Sequence, residues 1–334
     1  MRENRILVVS NNPDRASFRQ RIEVYLDLLR LGGIKCEVAR LPVGLAARCR
    51  LLKRSADFDA VFLQKKRLSL IEAPLLRRYA RRIIYDFDDA VMYKPAAPER
   101  YSLLKSVRFR LTVGLADLVI AGNPYLAEHA RKFNTKVEVL PTGLNTNEYE
   151  IAATRKTDGK VRLVWIGSRS TLRYLTEIAS ALEEVGSRYE NVILRMVCND
   201  FIDLDKMSVE KCFWSEQTQI VDLVTSDIGL APLPDNRFTR GKCGFKVLQY
   251  ASAGLPVVAS PVGVNCGYVQ DNVTGYLASD TDEWVDRMSR LVENAQLRKK
   301  MGESAGKSVK RFDVSVIGEH LAAFILQCAG DVRT

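Results

Sequence analysis

The sequence predicts an α/β protein of two domains, each built on a parallel sheet. Short apolar runs alternate with helix-length amphipathic stretches, the pattern of repeated strand–helix–strand units. That alternation pauses in a polar stretch over residues 142–160 and restarts at Val161. A chain of 334 residues also exceeds what one hydrophobic core ordinarily serves. The expected division is 1–150, 151–311 and a terminal segment 312–334, whose apolar-periodic helix Phe312–Cys328 packs back on the first domain.

The elements follow in order. Ile6–Val9 is a strand and Asn11-Asn12-Pro13-Asp14 a turn. A helix runs from there to Leu31, where Gly32-Gly33 stops it. Cys36–Leu41 is a strand and Val43–Arg54 a basic helix; Ala60–Leu63 is a strand and Leu68–Arg81 a helix. Ile83–Phe87 and Leu118–Ile120 are strands separated by a longer helix, and Asn123 caps the helix that follows. In the second half Val161–Ile166 runs into Gly167, and Val192–Val197, Ile228–Ala231 and Val257–Ala259 continue the sheet.

Composition narrows the function classes. The net charge is +10, and all of it lies in the first 150 residues, with 27 Lys and Arg against 17 Asp and Glu; the remainder balances at 23 and 23. Such a half either faces something anionic (a phospholipid surface, a diphosphate-linked acceptor, nucleic acid) or is a plain soluble surface. The basic segments Gly44–Arg54 and Tyr101–Leu111 suit an anionic bilayer or a core-facing helix with a basic outer side. No nucleic-acid reading motif accompanies the charge, so nucleic acid is not an expected partner. No apolar run approaches the roughly 18 residues of a membrane span, and Met1–Arg5 enters a strand with no signal-peptide pattern. Seven scattered cysteines without a CxxC pair, and two histidines, fit neither a disulfide framework nor a zinc site. The expected location is the cytoplasm, at the inner face of the membrane if the basic half docks there.

Chemistry concentrates in a few places. In Arg240-Gly241-Lys242-Cys243-Gly244-Phe245-Lys246, cations crowd the first turn of a helix, where the macrodipole favours acids. An anion held between backbone N–H groups, Lys242 and Lys246 resolves that conflict; a solvated basic loop is the alternative. Gly167-Ser168-Arg169-Ser170-Thr171-Leu172-Arg173 ends the first strand of the second domain, and its hydroxyls either cap a helix or touch a ligand. There is no GxGxxG and no GxxxxGK[ST], which excludes the usual dehydrogenase and P-loop patterns. Asp86-Phe87-Asp88-Asp89 offers metal ligands, acceptors for sugar hydroxyls, or helix caps paired with arginines. Asn11, Asn12, Arg19, Arg21 and Lys65 follow strand ends and are candidates for an anionic substrate. Trp214 stacks on a base or packs in the core. Cys243 beside Lys242 is a candidate for a lowered thiol pKa, though mainly a small loop residue. His129 is structural.

Gly244–Gly263, Asp271–Leu277 and Leu297–Gly302, with Ala121-Gly122-Asn123 and Leu140-Pro141-Thr142-Gly143, resemble glycosyltransferase family 4, retaining sugar-nucleotide enzymes of the GT-B fold. The resemblance implies two Rossmann-like domains facing across a cleft, with the donor nucleotide in the second and the acceptor mostly in the first. The family's two glutamates, eight residues apart, correspond to Gly241 and Gln249. Its Arg and Lys on the loop after the first strand of the second domain correspond to Ser168 and Arg173, and its histidine motif to the region of Asp86–Asp89.

The expectation is a hexosyltransferase-type glycosyltransferase. It moves a sugar from a nucleotide diphosphate-sugar to an acceptor hydroxyl with retention, in cell-surface glycan or glycolipid biosynthesis, and needs no metal or other cofactor. The acceptor is a glycan, a lipid-linked molecule or a small molecule. Catalytic candidates are Lys246, Lys242, Asp86 and Asp88; donor-side candidates are Gly167, Ser168, Ser170, Thr171, Arg173, Trp214, Gly244, Phe245 and Gln249; Asp89 joins the acceptor-side group. The alternatives are a sugar-nucleotide 2-epimerase and a non-catalytic nucleotide-sugar-binding protein.

Overall fold

A computed structural model describes residues 3–100, 102–150 and 158–330. The chain forms two compact units. The first takes in Met1–Leu144, Asn236–Cys243 and Phe312–Thr334; the second takes in Asn145–Asp235 and Gly244–Arg311. The join expected near residues 150–160 falls largely on 151–157, outside the described residues, as does Tyr101 at the head of the basic segment. The stretch Asn236–Cys243, expected in the second domain, belongs to the first unit. Phe238 enters that unit's core, the Tyr125 hydroxyl donates to Arg237 O at 3.0 Å, and Asn123 Nδ2 donates to Lys242 O at 3.1 Å.

The first unit is built on β1 (Asn4–Ser10), β2 (Ile34–Arg40), β3 (Ala60–Gln64), β4 (Ile83–Phe87), β5 (Leu118–Ala121) and β6 (Val137–Val139). Their order across the sheet is β2-β1-β3-β4-β5-β6, with every pair parallel. The direction of winding reverses between β1 and β3, the switch point at which ligands of open α/β sheets gather. There the Ser10 hydroxyl donates to Gln64 Oε1 at 2.7 Å. Alternation along β4 sends Tyr85 and Phe87 into the core under the helices Leu45–Lys53, Glu72–Tyr79 and Leu103–Leu115. The opposite face packs Phe18, Tyr25 and Leu29 against Ile317, Leu321 and Ile325 of the helix Val314–Gly330.

The helix expected to run unbroken to Leu31 is interrupted. Ala16–Arg21 ends at Ile22 (φ −134°), a single 3-10 turn covers Glu23–Tyr25, and Leu26–Leu31 resumes. Phe18, Arg21, Ile22, Tyr25 and Leu29 all face inward across the break, on the spacing of one helical face. Asn123 does cap the helix Pro124–Arg131, accepting from Leu126 N at 2.9 Å.

The second unit contains β7 (Val161–Ile166), β8 (Val192–Cys198), β9 (Ser208–Phe213), β10 (Ile228–Ala231), β11 (Val257–Ala259) and β12 (Gly275–Leu277), ordered β12-β11-β10-β7-β8-β9 and parallel throughout. Its switch point lies between β7 and β10, which pair over only Leu163–Ile228 and Val164–Gly229. Where they part, the Tyr250 hydroxyl accepts from Ile166 N at 3.0 Å and donates to Leu230 O at 3.1 Å. Gly229 leaves room for that ring: a Cβ there would overlap it. β6 and β12, three residues each, and the half-exposed β9 were not legible in the sequence.

Candidate functional site

The donor-side candidates assemble at the switch point of the second unit. Gly167 ends β7 with the Trp165 ring packed so closely that a Cβ would run into it, so only glycine fits. The hydroxyls that follow are mostly engaged with one another. Ser168 N donates to Thr171 Oγ1 at 3.0 Å, the Thr171 hydroxyl donates to Ser168 O at 3.0 Å, and the Ser168 and Ser170 hydroxyls lie 2.9 Å apart. Thr171 therefore serves the start of the helix Arg169–Thr176, while Ser168 and Ser170 stay exposed. Arg173 is exposed, and its Nη2 donates to the Tyr174 hydroxyl at 3.1 Å.

Gly244, in the left-handed region (φ 64°), opens the helix Phe245–Ser252; a side chain there would meet Val264 and Tyr268. No side chain caps that helix and no acid stands in its first turn. Phe245 is half-buried, and Lys246 Nζ lies 4.3 Å above the Trp165 ring. Trp165 is fully buried, and its Nε1 has no hydrogen-bond partner among the protein atoms. One turn on, the buried Gln249 donates through Nε2 to the Tyr149 hydroxyl at 3.3 Å and to Gln219 Oε1 at 3.4 Å. The same Gln219 oxygen accepts from Trp214 Nε1 at 3.2 Å, so the half-buried Trp214 is tied to Gln249 through one amide. Burial pushes the Tyr149 hydroxyl up to about 12, so it stays protonated. A glycine turn, a helix start without acids and a lysine held on an aromatic face make a cradle for an anion. The amide chain beside it suits hydroxyl-bearing ligands.

The acidic run of the first unit is differently built. Arg21 donates through Nε (2.9 Å) and Nη2 (2.7 Å) to Asp86 Oδ1, and through Nη1 to the carbonyls of Leu140 (2.6 Å) and Pro141 (3.0 Å). Arg21 is 2% exposed and Asp86 0%. The sequence expectation has Arg21 on the acceptor side and Asp86 in catalysis; in the structure both are buried in one ion pair, with Asp86 Oδ2 left without a protein partner. Burial pushes the Asp86 carboxyl above its ordinary range against the pull of Arg21; the guanidinium, although burial opposes its charge, is held above its own ordinary value by Asp86.

Lys65 adopts φ 53°, unusual for a residue with a side chain, and its Nζ lies 2.7 Å from both Asp88 Oδ1 and Asp89 Oδ2. Lys242 closes the cluster, with Nζ 2.9 Å from Asp89 Oδ1 and 4.7 Å above the Phe238 ring. Burial works against the Asp89 anion, but Lys65 and Lys242 outweigh it and hold the carboxyl below its ordinary range. Lys242, expected to neutralise a diphosphate beside Lys246, spends its charge on Asp89 instead. Cys243 donates to Asp88 O at 3.0 Å; burial and then Asp88 push its thiol up to about 12, the reverse of the lowered value considered from sequence.

The remaining candidates shape local structure. Asn12 Oδ1 accepts from Asp14 N (3.1 Å) and Arg40 Nη2 (3.0 Å), and Arg19 Nη1 donates to Asp14 O (2.8 Å), which fixes the turn after β1; Asn11 is exposed. His129 donates from Nδ1 to Tyr125 O (2.9 Å) and accepts at Nε2 from Tyr93 (3.1 Å), a structural arrangement. Among the described residues, no three His, Cys, Asp or Glu side chains are grouped to hold a metal ion. A cleft of about 400 Å³ in the second unit, between Glu177, Pro234, Ser260 and Trp284, includes none of the candidates. Sequence reasoning missed Trp165, Tyr149 and Gln219. The signal available for Trp165 was an aromatic two residues before a strand-ending glycine.

Residues 213–308 match the family of glycosyl transferases, group 1. That segment contains Gly244, Lys246 and Gln249. The fold is the GT-B architecture. HepE of Anabaena, solved with UDP and glucose, superposes with a TM-score of 0.72 at 15% identity, covering 97% of this chain and 99% of that one. Sucrose-phosphate synthase of Thermosynechococcus elongatus gives 0.76 at 13% identity over 97% and 99%. A UDP-forming α,α-trehalose-phosphate synthase of Burkholderia xenovorans gives 0.69 at 10% identity over 99% and 100%. No curated protein matches the chain. No helix among the described residues is long and apolar enough to cross a membrane.

Proposed function

We propose that the chain is a glycosyltransferase of family 4 type, moving a hexose from a nucleotide diphosphate-sugar to an acceptor hydroxyl with retention and without a metal. The second unit holds the donor and the first the acceptor, in cell-surface glycan or glycolipid synthesis. The observation that carries this reading is Lys246, poised on Trp165 at the glycine-capped start of Phe245–Ser252, inside the segment that matches a glycosyl transferase family. The diphosphate would lie on Lys246 and the helix start, and preorganised positive potential there stabilises a departing nucleotide. Gln249 and its amide chain suit ribose hydroxyls, and HepE, solved with UDP and glucose, supports a uridine donor. The basic first unit suits an anionic membrane surface, with the protein peripheral to it.

One observation favours a second reading, a binding protein without turnover. Gly241 stands where the family has its first glutamate, and a Cβ at that position would press on Ala90 at 2.7 Å. A thermal-shift screen of UDP-, GDP-, ADP- and dTDP-sugars tests donor binding, because a ligand of the native state raises the melting temperature by mass action. One nucleotide family should stabilise the wild type and not Lys246→Ala. Nucleotide release across an acceptor panel then separates the two readings: binding without release favours the non-catalytic one. No shift with any sugar nucleotide counts against both.

A further inference from the structure

The first unit has a switch point of its own, and the chain leaves β3 there as Lys65-Lys66-Arg67. Lys65 turns to the acidic run; Lys66 and Arg67 join a different group. Tyr85 on β4 is fully buried, and its hydroxyl has no hydrogen-bond partner among the protein atoms. The buried Nη1 of Arg67 has none either. Buried polar groups are normally bonded, and leaving one without a partner is costly. Of the charges around Tyr85, Arg67 acts on it most strongly, ahead of Asp86, Lys65 and Asp88.

The surroundings are cationic. Arg108 of the helix Leu103–Leu115 acts on both Lys66 and Arg67, and Lys105 lies within the field of Arg67 and Lys94. The helix is fastened here: Thr112 Oγ1 accepts from Leu68 N at 2.8 Å, and Lys105 Nζ donates to Tyr93 O at 2.7 Å. Glu72 answers part of this charge, 3.3 Å from Lys66 and 3.4 Å from Arg48. Burial, and after it the neighbouring cations, leave Lys66, Arg67 and Lys105 below their ordinary values.

We propose that Arg67 and Tyr85, with Lys66, Lys105 and Arg108 around them, form a binding site for a phosphoryl group carried by the acceptor. A guanidinium and a phenol are two fitting donors for phosphate oxygens, and burial keeps that phenol protonated by pushing its pKa above the ordinary value. The site stands at the carboxyl end of the sheet, where α/β proteins bind ligands. Leu70 and Ile71, 71% and 57% exposed, lead into the helix Glu72–Tyr79, and Leu103 and Leu104, 67% and 62% exposed, open the next one at the same end of the sheet. That apolar edge suits a phosphate joined to a lipid chain, while the phosphate donors serve a soluble sugar phosphate equally. The assignment of the phosphate to the acceptor rests on the proposed transferase activity; the binding itself does not.

The test is made in a Lys246→Ala background, so that phosphate probes at the donor side do not contribute. Calorimetric titration with inorganic pyrophosphate and with glycerol 3-phosphate is compared with flotation on phosphatidylcholine vesicles, with and without phosphatidic acid. Arg67→Gln and Tyr85→Phe should each weaken binding about tenfold. Tyr85→Phe removes an unpartnered hydroxyl and should leave the melting temperature unchanged or higher, so lost binding is not lost folding. Binding of the soluble probes that depends on both residues identifies a free phosphate ligand. Vesicle binding that needs phosphatidic acid and both residues identifies a lipid headgroup. The proposal is overturned if no probe binds, or if both variants bind as their parent does. Neither result bears on donor binding, which the sugar-nucleotide screen reads separately.

Discussion

The two lysines of the Gly-Lys-Cys-Gly-Phe-Lys loop, four residues apart, end in different kinds of site. Lys242 sits in the first unit, 2.9 Å from Asp89, in a cluster where Arg21, Lys65 and Asp86 also have partners. Lys246 sits in the second unit over an indole face, at a helix start with no acid nearby in sequence. A cation matched by a carboxylate serves the fold; one held over an aromatic ring at a glycine-opened helix start is the candidate for a ligand. Buried ion pairs hold little net stability when intact but are costly to break from one side. Functional cations show the reverse pattern, with small structural and large binding consequences.

The sharpest way to break this contrast is Asp86→Ala. It leaves the Arg21 guanidinium buried without its carboxylate, and should cost about 3–5 kcal/mol in chemical unfolding. A loss below about 1 kcal/mol would mean that the pair is not structural. Gly167→Ala comes next. Its Cβ would meet the Trp165 ring, so about 1–3 kcal/mol of stability should be lost together with nucleotide affinity. Unchanged affinity in a folded variant would remove the Gly167 turn from the proposed donor site.

Acid should act on the first unit through Asp89. Its carboxyl is held below the ordinary range when folded, so its contribution is present above about pH 4, the unfolded value, and fades as pH falls through the folded one. The melting temperatures of wild type and Asp89→Asn should therefore converge on acidification from pH 5 toward pH 3, by about one carboxylate's worth of the pH dependence. Parallel curves would exclude Asp89 as a source of that dependence. The smallest effect concerns the thiols. Cys243, buried and pushed up to about 12, should resist a thiol reagent at pH 8 in the native protein, while the exposed Cys266 reacts. Rapid modification of Cys243 would show that its loop opens.

Much of the fold was legible because parallel strands, buried on both faces, are near-continuous apolar runs. β1, β3, β4, β7 and β8 stand out for that reason. β9 was hidden because its Ser208–Phe213 is only half-buried at the sheet edge, and β6 and β12 because three residues leave no period to read. In the candidate site, Gly167, Gly244 and Lys246 stand out in the sequence by residue type at a strand or helix end, and Gln249 stands out only through the family resemblance. The fate of Lys242 was not legible. Its partner Asp89 lies 153 residues away in sequence, and no local pattern shows which of two neighbouring lysines a distant carboxylate will claim. The pairing of Arg21 with Asp86 is hidden for the same reason: 65 residues separate them, and only the packing of the helix Ala16–Arg21 on the sheet brings the guanidinium to the carboxylate on β4. Tyr85 gives a converse lesson, since one step along the same strand places it on the other face, toward Arg67.

The most direct measurement is calorimetric titration of the nucleotide that the sugar-nucleotide screen selects, into wild type, Lys242→Ala and Lys246→Ala side by side. Lys246→Ala should weaken binding about tenfold or more with little change in melting temperature, whereas Lys242→Ala should lower the melting temperature and leave the affinity within about twofold. If Lys242→Ala abolishes binding and Lys246→Ala does not, the division between a structural and a ligand-facing lysine is wrong, and the donor site must be rebuilt around Lys242 and Asp89.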